Sequence, residues 1–477
     1  MAEARAARPR RAFDLLRTPA LGPFLHWRHA RSALQLPMLM VAILVLYDGL
    51  FGPQLAPRNL AGVAPWVQGR GVAVLALLLA GNLTCMACPF ALSRNAGKKL
   101  LGGRRNWPKR LQGKWLVAGL LLVFFWFYEL FDPWALPWLT AVLAAGYFAG
   151  AFIVNGAFSG MSFCKYLCPL GHFNFVNSLA SPVEVRIHHP EVCTVCATKD
   201  CLRGRGGQRG CELWLFQQRK VGNMDCTFCL DCARACPNDN VGLLSRLPGS
   251  ELWDERPRAG IGRFSDRVDL AALALVLVFG AFLNAFGMVG PFYPFAEGLA
   301  RLLGTNSEGM VLTVIFGVGM LLMPVAVVGT AAWVSRALAR SRQPILSVAI
   351  HHSLALVPLG FGMWLAHYSF HFLTGALTLI PVAQSFLVDI GMPFLGQPNW
   401  SFGPLVPGGW LVPIELVLLE LGWLATLLAS YRATTLWQIG TRGSKAAFLP
   451  WGLVATTLFL WGVWLMLQPM EMRGILG

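Results

Sequence analysis

Charged residues are scarce in this sequence: they make up only 13% of 477 residues, whereas 56% are hydrophobic. Soluble domains of this total length need a charged shell around their cores, so the composition excludes a set of soluble domains. Acidic residues are the scarcer charged class, with 23 Asp and Glu against 39 Lys and Arg. Among long apolar segments, such an excess indicates which loops face the cytoplasm rather than a nucleic-acid partner.

Cysteine is absent before Cys85 and after Cys236, so all twelve cysteines lie in one part of the chain. This clustering excludes a disulfide framework that staples a whole extracellular domain. Low-complexity stretches are absent too, and so are internal repeats of about 20 to 50 residues, which excludes disordered and solenoid architectures. Short Cys-x-x-Cys spacings are instead typical of metal or iron–sulfur ligation.

Apolar segments recur along the chain, and nine of them are long enough to cross a membrane, which takes about 20 helical residues. We predict spans at residues 33–52, 69–90, 114–131, 134–157, 268–290, 310–334, 345–373, 410–430 and 447–468. The predicted fold is therefore an all-α polytopic membrane protein with a small inserted domain. The predicted parts are a basic tail at 1–32, a four-helix membrane domain at 33–160, a cysteine-rich domain at 161–267 and a five-helix membrane domain at 268–477.

Basic residues are distributed unevenly between the predicted loops. One side receives only Arg58, Arg70, Arg301 and Arg473. The other side receives the tail with Arg5, Arg8, Arg10 and Arg11, the loop 91–113 and the loops at Arg336 and Arg432. Because cytoplasmic loops carry the excess of Lys and Arg, we predict a bacterial inner-membrane protein with its N-terminus and residues 158–267 in the cytoplasm and its C-terminus outside.

The motif Cys226-x2-Cys229-x2-Cys232-x3-Cys236-Pro237 has the spacing of a bacterial ferredoxin. Two-residue spacers let three successive thiolates surround one cubane cluster, while a helical turn carries the fourth thiolate away. The alternative is a zinc knuckle, but zinc sites typically pair two Cys-x2–4-Cys units. No strand or helix pattern longer than Leu213–Arg219 is visible in this domain, which predicts that metal clusters hold it together.

A stretched version of the same motif precedes it, Cys193-x2-Cys196-x4-Cys201-x9-Cys211. Two-cluster ferredoxins exchange the fourth ligand between their motifs. We therefore predict a ferredoxin-like domain with two [4Fe-4S] clusters, either an electron path or staples of the fold. The predicted ligands are Cys193, Cys196, Cys201 and Cys236 for one cluster and Cys211, Cys226, Cys229 and Cys232 for the other.

Two Cys-Pro elements, Cys85-x2-Cys88-Pro89 and Cys164-x3-Cys168-Pro169, close the second and fourth predicted spans. Both are predicted at the cytoplasmic membrane surface, where their four thiols can meet. Such thiols can bind a third cluster, form a thiol–disulfide couple, or capture copper or zinc transiently. They can also be small buried apolar residues.

Residues 30–245 resemble the membrane polyferredoxins typified by NapH and NosR, a group that includes the copper-handling oxidase-maturation protein CcoG. The resemblance rests on the two Cys-Pro elements and the two-cluster motif that follows them. It implies electron transfer between the quinone pool or a cytoplasmic donor and a partner redox protein. This chain differs from NapH by its extra C-terminal block of five predicted spans, and it lacks the extracellular flavin-attachment domain of NosR-like proteins.

Ionisable residues inside the C-terminal spans are candidates for function, because charge at membrane depth is costly. These are His352, His367 and His371 in the seventh predicted span and Glu415 and Glu420 in the eighth. They predict a quinone or proton site. Haem b is a less favoured alternative, with Met363, Met320 or Met323 as a second ligand, and histidines with a purely structural role are another.

The sequence thus predicts an electron-transfer protein that connects a soluble cytoplasmic carrier, such as a ferredoxin or a dehydrogenase, with quinone or a membrane redox partner. A quinone or quinol oxidoreductase activity is one form of this function. A metal-handling factor that reduces or transfers copper during the maturation of a respiratory enzyme is the alternative from another class. A subunit that only anchors a larger complex is the third.

Overall fold

The computed structural model describes residues 12–254, 256–437 and 441–470. Within these ranges the chain is mostly helical, with one two-stranded sheet. Arg5, Arg8, Arg10 and Arg11 of the predicted tail lie outside the described residues, as does Arg473 after the last predicted span.

The first membrane part ends before the cysteine-rich segment. Its helices are α1 (Leu21–His26), α2 (Ala30–Phe51), α3 (Leu60–Val63), α4 (Arg70–Ala80), α5 (Leu83–Met86), α6 (Phe90–Leu101), α7 (Trp115–Phe131) and α8 (Pro137–Ala157). A π-helical turn joins α3 to α4, so that Leu60–Ala80 forms one apolar segment. This segment, α2 and α8 are long and apolar enough to span a membrane, whereas α7 is apolar but has only 17 residues.

The cysteine-rich segment contains short elements. These are α9 (Pro169–Asn177), β1 (Val183–Ile187), α10 (Pro190–Val195), α11 (Asp200–Arg203), α12 (Asp231–Ala235) and β2 (Val241–Ser245). The two strands pair antiparallel, with Val185 opposite Leu243, and so join the two ends of the region that carries Cys193 to Cys236. The expectation that no strand or helix pattern in this segment is longer than Leu213–Arg219 is wrong, because only Gln217–Arg219 forms a 3-10 turn there, whereas α9 has nine residues.

The second membrane part follows. Its helices are α13 (Val268–Phe286), α14 (Phe292–Leu303), α15 (Glu308–Gly317), α16 (Met323–Leu338), α17 (Ile345–Ala355), α18 (Val357–Gly375), α19 (Leu379–Asp389), α20 (Leu411–Trp437) and α21 (Thr441–Met466). Five segments of this part are long and apolar enough to span, giving eight in the described residues, and α7 matches the remaining predicted span. The chain is a multi-pass membrane protein.

The second predicted span is wrong in its position along the chain. Its helix ends at Ala80, because Gly81 has φ +64° and leaves the helical conformation, and the apolar segment begins already at Leu60. Arg70 therefore lies inside the segment and not in a loop. The predicted loop 91–113 is also partly wrong, since its first residues form α6, which packs along α8.

Helix α13 lies at the centre of the membrane core. Nearly all of its residues are buried, and it packs against α7, α17 and α18. The same apolar cluster includes Val74 and Leu77 of α4 and Phe175 of α9. The core thus extends from the second membrane part through the first to the cysteine-rich segment, and it fixes their relative position.

Candidate functional site

Four cysteines meet where the first membrane part joins the cysteine-rich segment. Cys85 lies in α5 and Cys88 precedes α6, while Cys164 lies in a π-helical turn and Cys168 is the N-cap of α9. Their thiols are within electrostatic range of one another. We call these four residues the membrane-face set.

Hydrogen-bond donors surround the membrane-face set. Asn174 Nδ2 donates to Cys85 Sγ at 3.2 Å, and the Gly171 amide donates to Cys168 Sγ at the same distance. Burial raises the pKa of Cys85 to about 12 and that of Cys88 to about 11. Because burial penalises the thiolate, these cysteines ionise only where a bound cation or a neighbouring positive charge compensates for the lost solvation.

Cys211, Cys226, Cys229 and Cys232 form a second group, which we call the central set. Cys232 lies within electrostatic range of the other three thiols; Cys211, Cys226 and Cys232 are buried, and Cys229 is half-buried. The chain turns tightly around Cys229, since Phe228 and Leu230 on either side have φ +51° and +58°. Such left-handed conformations are costly for residues other than glycine and cluster at functional sites.

Cys193, Cys196, Cys201 and Cys236 form the third group, the distal set. All four line one cavity, together with Phe216 and Asn240. Asn240 contributes two donors, since its side chain donates to Cys193 Sγ at 3.3 Å and its amide donates to Cys236 Sγ at 3.4 Å. Burial raises the pKa of Cys201 to about 11. The fourth cysteine of each motif thus lies with the first three of the other.

The three sets lie in a row. The Cys211 amide donates to the Cys201 carbonyl at 2.9 Å, which joins the distal set to the central set. Asn82 Nδ2 donates to the Cys226 carbonyl at 2.7 Å, and Cys85 lies within electrostatic range of Cys226. The order from the partly exposed cavity to the end of the membrane helices is therefore distal, central, membrane-face.

Buried cations lie beside the central set. Arg94 is 0% exposed and is within electrostatic range of Cys164 and Cys229, so it lies between the membrane-face and central sets. Lys220 Nζ donates to the Val185 carbonyl at 2.7 Å, and its charge acts on Cys226. Positive charge at these positions offsets the cost of burying anionic thiolates.

Glu212 joins the cysteine-rich segment to α6. One carboxylate oxygen lies 3.1 Å from Arg94 Nη2 and the other lies 3.2 Å from Lys98 Nζ. Burial by itself raises the pKa of Glu212, but Arg94, Lys98 and Arg31 together lower it to about 2. Because Glu212 directly follows Cys211, this charge cluster also fixes the position of the central set against the membrane part.

A second polar connection lies on the other side of the central set. Lys114 Nζ is 3.2 Å from Asp225 Oδ1 and 3.2 Å from His172 Nε2. Burial, and then the charge of Lys114, lower the pKa of His172 to about 3, so the ring is neutral at physiological pH. Its Nδ1 therefore donates to the Cys168 carbonyl, 2.9 Å away, while Nε2 accepts from Lys114.

Each of the three sets offers only thiols as candidate ligands. All twelve cysteines are free thiols. In the described parts of the chain, no three His, Cys, Asp or Glu side chains converge as ligands of a single metal ion. A cubane needs a wider spacing than a zinc ion, because each thiolate binds a different iron instead of one ion at about 2.3 Å. Four thiols per set equal the number of ligands that a cubane takes.

The ionisable residues predicted in the C-terminal spans do not form one site. His352 stacks on Trp451 with ring centroids 4.1 Å apart, whereas His367 and His371 lie together on α18, 4.9 Å apart. Glu415 is buried on α20, and Glu420 lies on an exposed face of the same helix. His352 is buried and His351 is half-buried on α17, and among the described membrane-spanning segments only Ile345–Asp389, which contains α17 and α18, carries histidines.

Sequence reasoning missed Arg70 as a site residue. Its guanidinium lies near His367 and His371, and it belongs to an apolar segment rather than to a loop. The signal was present in the sequence, since an arginine close to an apolar run is either a loop charge or a functional charge within the span. Only the helix boundaries distinguish the two.

Searches against protein-family models, curated proteins and solved structures find no match to this chain. The relation to membrane polyferredoxins therefore rests on the cysteine spacing alone.

Proposed function

We propose that this chain is a membrane-bound iron–sulfur protein, similar to the membrane polyferredoxins, that passes electrons between a cytoplasmic redox carrier and the quinone pool. The distal and central sets would each hold one [4Fe-4S] cluster, and the membrane-face set would hold a third. Bound clusters of this type supply reversible one-electron transfer. The chain itself supplies the cysteine ligands, the buried cations that compensate for thiolate charge, and the fixed order of the three sets.

The single observation that carries this proposal is the row of three four-cysteine sets. One end of the row is a partly exposed cavity that a soluble carrier can reach, and the other end adjoins the membrane helices. A backbone hydrogen bond connects Cys211 of the central set to Cys201 of the distal set, and the Asn82 side chain, near the membrane-face set, donates to the Cys226 carbonyl. Clusters that only stapled the fold would have no need of such an order.

The positive charge of the exposed surface near the distal set indicates which kind of electron carrier docks there. Four exposed basic residues lie in the segment between Cys196 and Cys211, namely Lys199, Arg203, Arg205 and Arg209, and Lys199 lines the cavity of the distal set. Surfaces of one sign steer partners of the opposite sign during encounter. We therefore infer an acidic carrier, of the ferredoxin type or part of a dehydrogenase.

We infer that the cysteine-rich end faces the cytoplasm of a bacterial cell. Reduced thiols persist in that compartment, and α6 carries Lys98 and Lys99 in its last turn at this end. The opposite end of the bundle then faces outward.

Iron and sulfide content, with low-temperature EPR, tests the proposal on protein purified without oxygen. About twelve Fe per chain are expected with all three sets filled, or about eight with only the distal and central sets filled. Donor-driven reduction of a membrane quinone is expected in the wild type and is lost in Cys229→Ser. Colourless protein that contains zinc and no acid-labile sulfide contradicts the proposal.

A further inference from the structure

Arg70 is a charged residue in the middle of an apolar span. It lies ten residues from each end of Leu60–Ala80, which is about 15 Å of helix on either side. The side chain is half-buried, so part of it faces outward at mid-span. Among the residues that the structure describes, none forms a salt bridge with it. Ionisable groups at this depth are costly and mark functional sites.

Aromatic rings surround the guanidinium, and the buried carboxylate of Glu129 acts on its charge without forming a salt bridge with it. The central carbon of the guanidinium lies 4.4 Å from the ring centroid of Trp66, 4.6 Å from that of Tyr128 and 5.1 Å from that of Tyr368. The three rings come from three different membrane segments. Cation–π contacts and a hydrogen bond with the Tyr128 hydroxyl stabilise the charge, and the guanidinium has further N–H donors that a ligand can use.

Two histidines complete this group. His367 and His371 lie one helical turn apart, and His367 is 5.6 Å from Tyr368 between ring centroids. His367 is 0% exposed and His371 is 8% exposed. Nevertheless, both ring nitrogens of His367 and Nε2 of His371 have no hydrogen-bond partner among the described residues. Buried polar groups without partners are rare and costly, so these three nitrogens need an explanation.

We propose that Arg70, His367 and His371 bind the head group of a membrane quinone. The two carbonyl oxygens of a quinone accept hydrogen bonds from a guanidinium and from an imidazole N–H. Its flat ring packs against aromatic side chains such as Trp66 and Tyr128, and its tail stays in lipid beside the half-buried Arg70. This inference rests on the proposed function and adds to it the place where the quinone binds.

Aromatic contacts connect this site with the cysteine-rich end. Phe173 of α9 contacts Trp364, with ring centroids 5.5 Å apart, and Trp364 contacts Tyr368 at 5.0 Å. Phe173 belongs to the helix that Cys168 caps. Reduction of a quinone at this site takes two electrons and two protons. The reduced cytoplasmic carrier, which is oxidised in the process, would supply the electrons one at a time through clusters held by the cysteine sets, and the aqueous phase would supply the protons.

Binding of the fluorescent quinone analogue 2-heptyl-4-hydroxyquinoline N-oxide tests this site without turnover. The probe's fluorescence is titrated with the full-length protein in detergent. We expect saturable quenching by the wild type and affinity at least about tenfold weaker in Arg70→Met, since a hydrogen bond to a charged group contributes about 1.5–3 kcal/mol. Arg70→Lys is expected to retain part of the affinity, and His367→Asn to lose part of it.

Arg58→Met is the matched control. Arg58 also lies over an aromatic ring, 5.4 Å from the centroid of Trp400, but it is exposed and outside the apolar segment. Its loss is expected to leave probe affinity unchanged. Gel filtration and circular dichroism show whether Arg70→Met is folded. If it is not, the probe affinities of His367→Asn and Arg70→Lys test the site instead, and both should be weaker than that of the wild type.

Equal probe affinity in wild type, Arg70→Met and His367→Asn overturns the site, and so does a wild type that does not bind the probe. Dithionite-reduced EPR spectra of the same samples separate this outcome from failure of the proposed function. Cluster signals without probe binding refute the quinone site alone. Probe binding that depends on Arg70 in a protein without iron–sulfur signals supports the site and refutes the electron relay.

Discussion

Arg94 and Glu212 form a buried ion pair with 3.1 Å between Nη2 and Oε2, and it joins α6 to the residue that follows Cys211. The arginine is fully buried and the Glu212 side chain is 12% exposed. This pair connects the membrane part with the central set, and Arg94 also acts on Cys164 of the membrane-face set. Its removal should therefore affect stability and cluster retention together.

Arg94→Met is expected to destabilise the protein by about 3–5 kcal/mol, because it leaves the Glu212 carboxylate in a buried site with fewer cations. Thermal unfolding in detergent, followed together with the release of iron, measures the effect. Arg209→Gln is the control. Arg209 is 60% exposed and lies 3.7 Å from the same carboxylate, so its loss should cost no more than about 1 kcal/mol. Equal effects of both variants contradict the role of the buried pair.

Gly81→Ala is expected to disturb the contact between α4 and the central set. A Cβ on Gly81 would lie 2.6 Å from Ser181 Oγ and 2.7 Å from the Phe228 ring, and the backbone has φ +64° and ψ −141°. That conformation is essentially restricted to glycine and costs other residues about 1–3 kcal/mol. A lower thermal midpoint and loss of iron are the expected results.

Gly146→Ala is the control for Gly81→Ala. A Cβ on Gly146, in the interior of α8, would meet nothing within 4 Å. Alanine in a helix interior is favoured over glycine by about 0.5–1 kcal/mol. An unchanged or raised midpoint is expected, and a loss as large as that of Gly81→Ala would show that the Phe228 contact is not the cause.

Asn240→Asp is expected to lower the reduction potential of the distal cluster. The change removes the side-chain N–H that donates to Cys193 Sγ and adds a negative charge beside the thiolates. A hydrogen bond worth about 0.5–1.5 kcal/mol corresponds to about 20–60 mV for one electron. A redox titration followed by EPR measures the shift. Asn174 lies beside Cys85. Asn174→Asp should therefore leave the reduction potential of the distal cluster unchanged and shift that of the membrane-face cluster.

Cys88→Ser is expected to remove four Fe per chain, from about twelve to about eight, because one cubane loses a ligand. Cys211→Ser should remove the same amount but a different EPR signal, since it belongs to the central set. Iron content that does not change in Cys88→Ser means that the membrane-face set holds no cluster.

Electron delivery from an acidic carrier is expected to slow as salt increases, because exposed charges are screened beyond about 8 Å at physiological ionic strength. Arg203→Glu combined with Arg205→Glu should lower the second-order rate of cluster reduction and weaken its salt dependence. Stopped-flow absorbance with a plant-type ferredoxin measures both. Reduction by dithionite is the control and should be unchanged. A rate that does not depend on salt contradicts the basic docking surface.

The spacing of the cysteines was enough to predict which thiols share a set. Two-residue spacers bend the chain around one centre, which groups three cysteines of a motif locally, and in two-cluster ferredoxins the fourth ligand comes from the other motif. Cys201 and Cys236, 35 positions apart in the chain, line the same cavity as that rule requires. The ferredoxin-like character of this domain and its clusters stay predictions.

The positions of helix ends and the burial of individual side chains were harder to predict than the grouping of the thiols. Gly81 ends the helix ten residues before the predicted boundary, since a backbone conformation and not a polar residue stops it. Glu415 and Glu420 look alike in the sequence, yet one is buried and the other is exposed, because only helix packing decides which face meets a neighbour.

By itself, the sequence determined that the chain is a multi-pass membrane protein, because the length and apolarity of its segments leave few other solutions in lipid. It also indicated which thiols lie together within each cysteine motif, because short spacers act locally. Only the tertiary structure decided that the three cysteine sets form a row and that Arg70 lies within a span beside His367. Both depend on contacts between residues far apart in the chain, which packing of the whole bundle establishes.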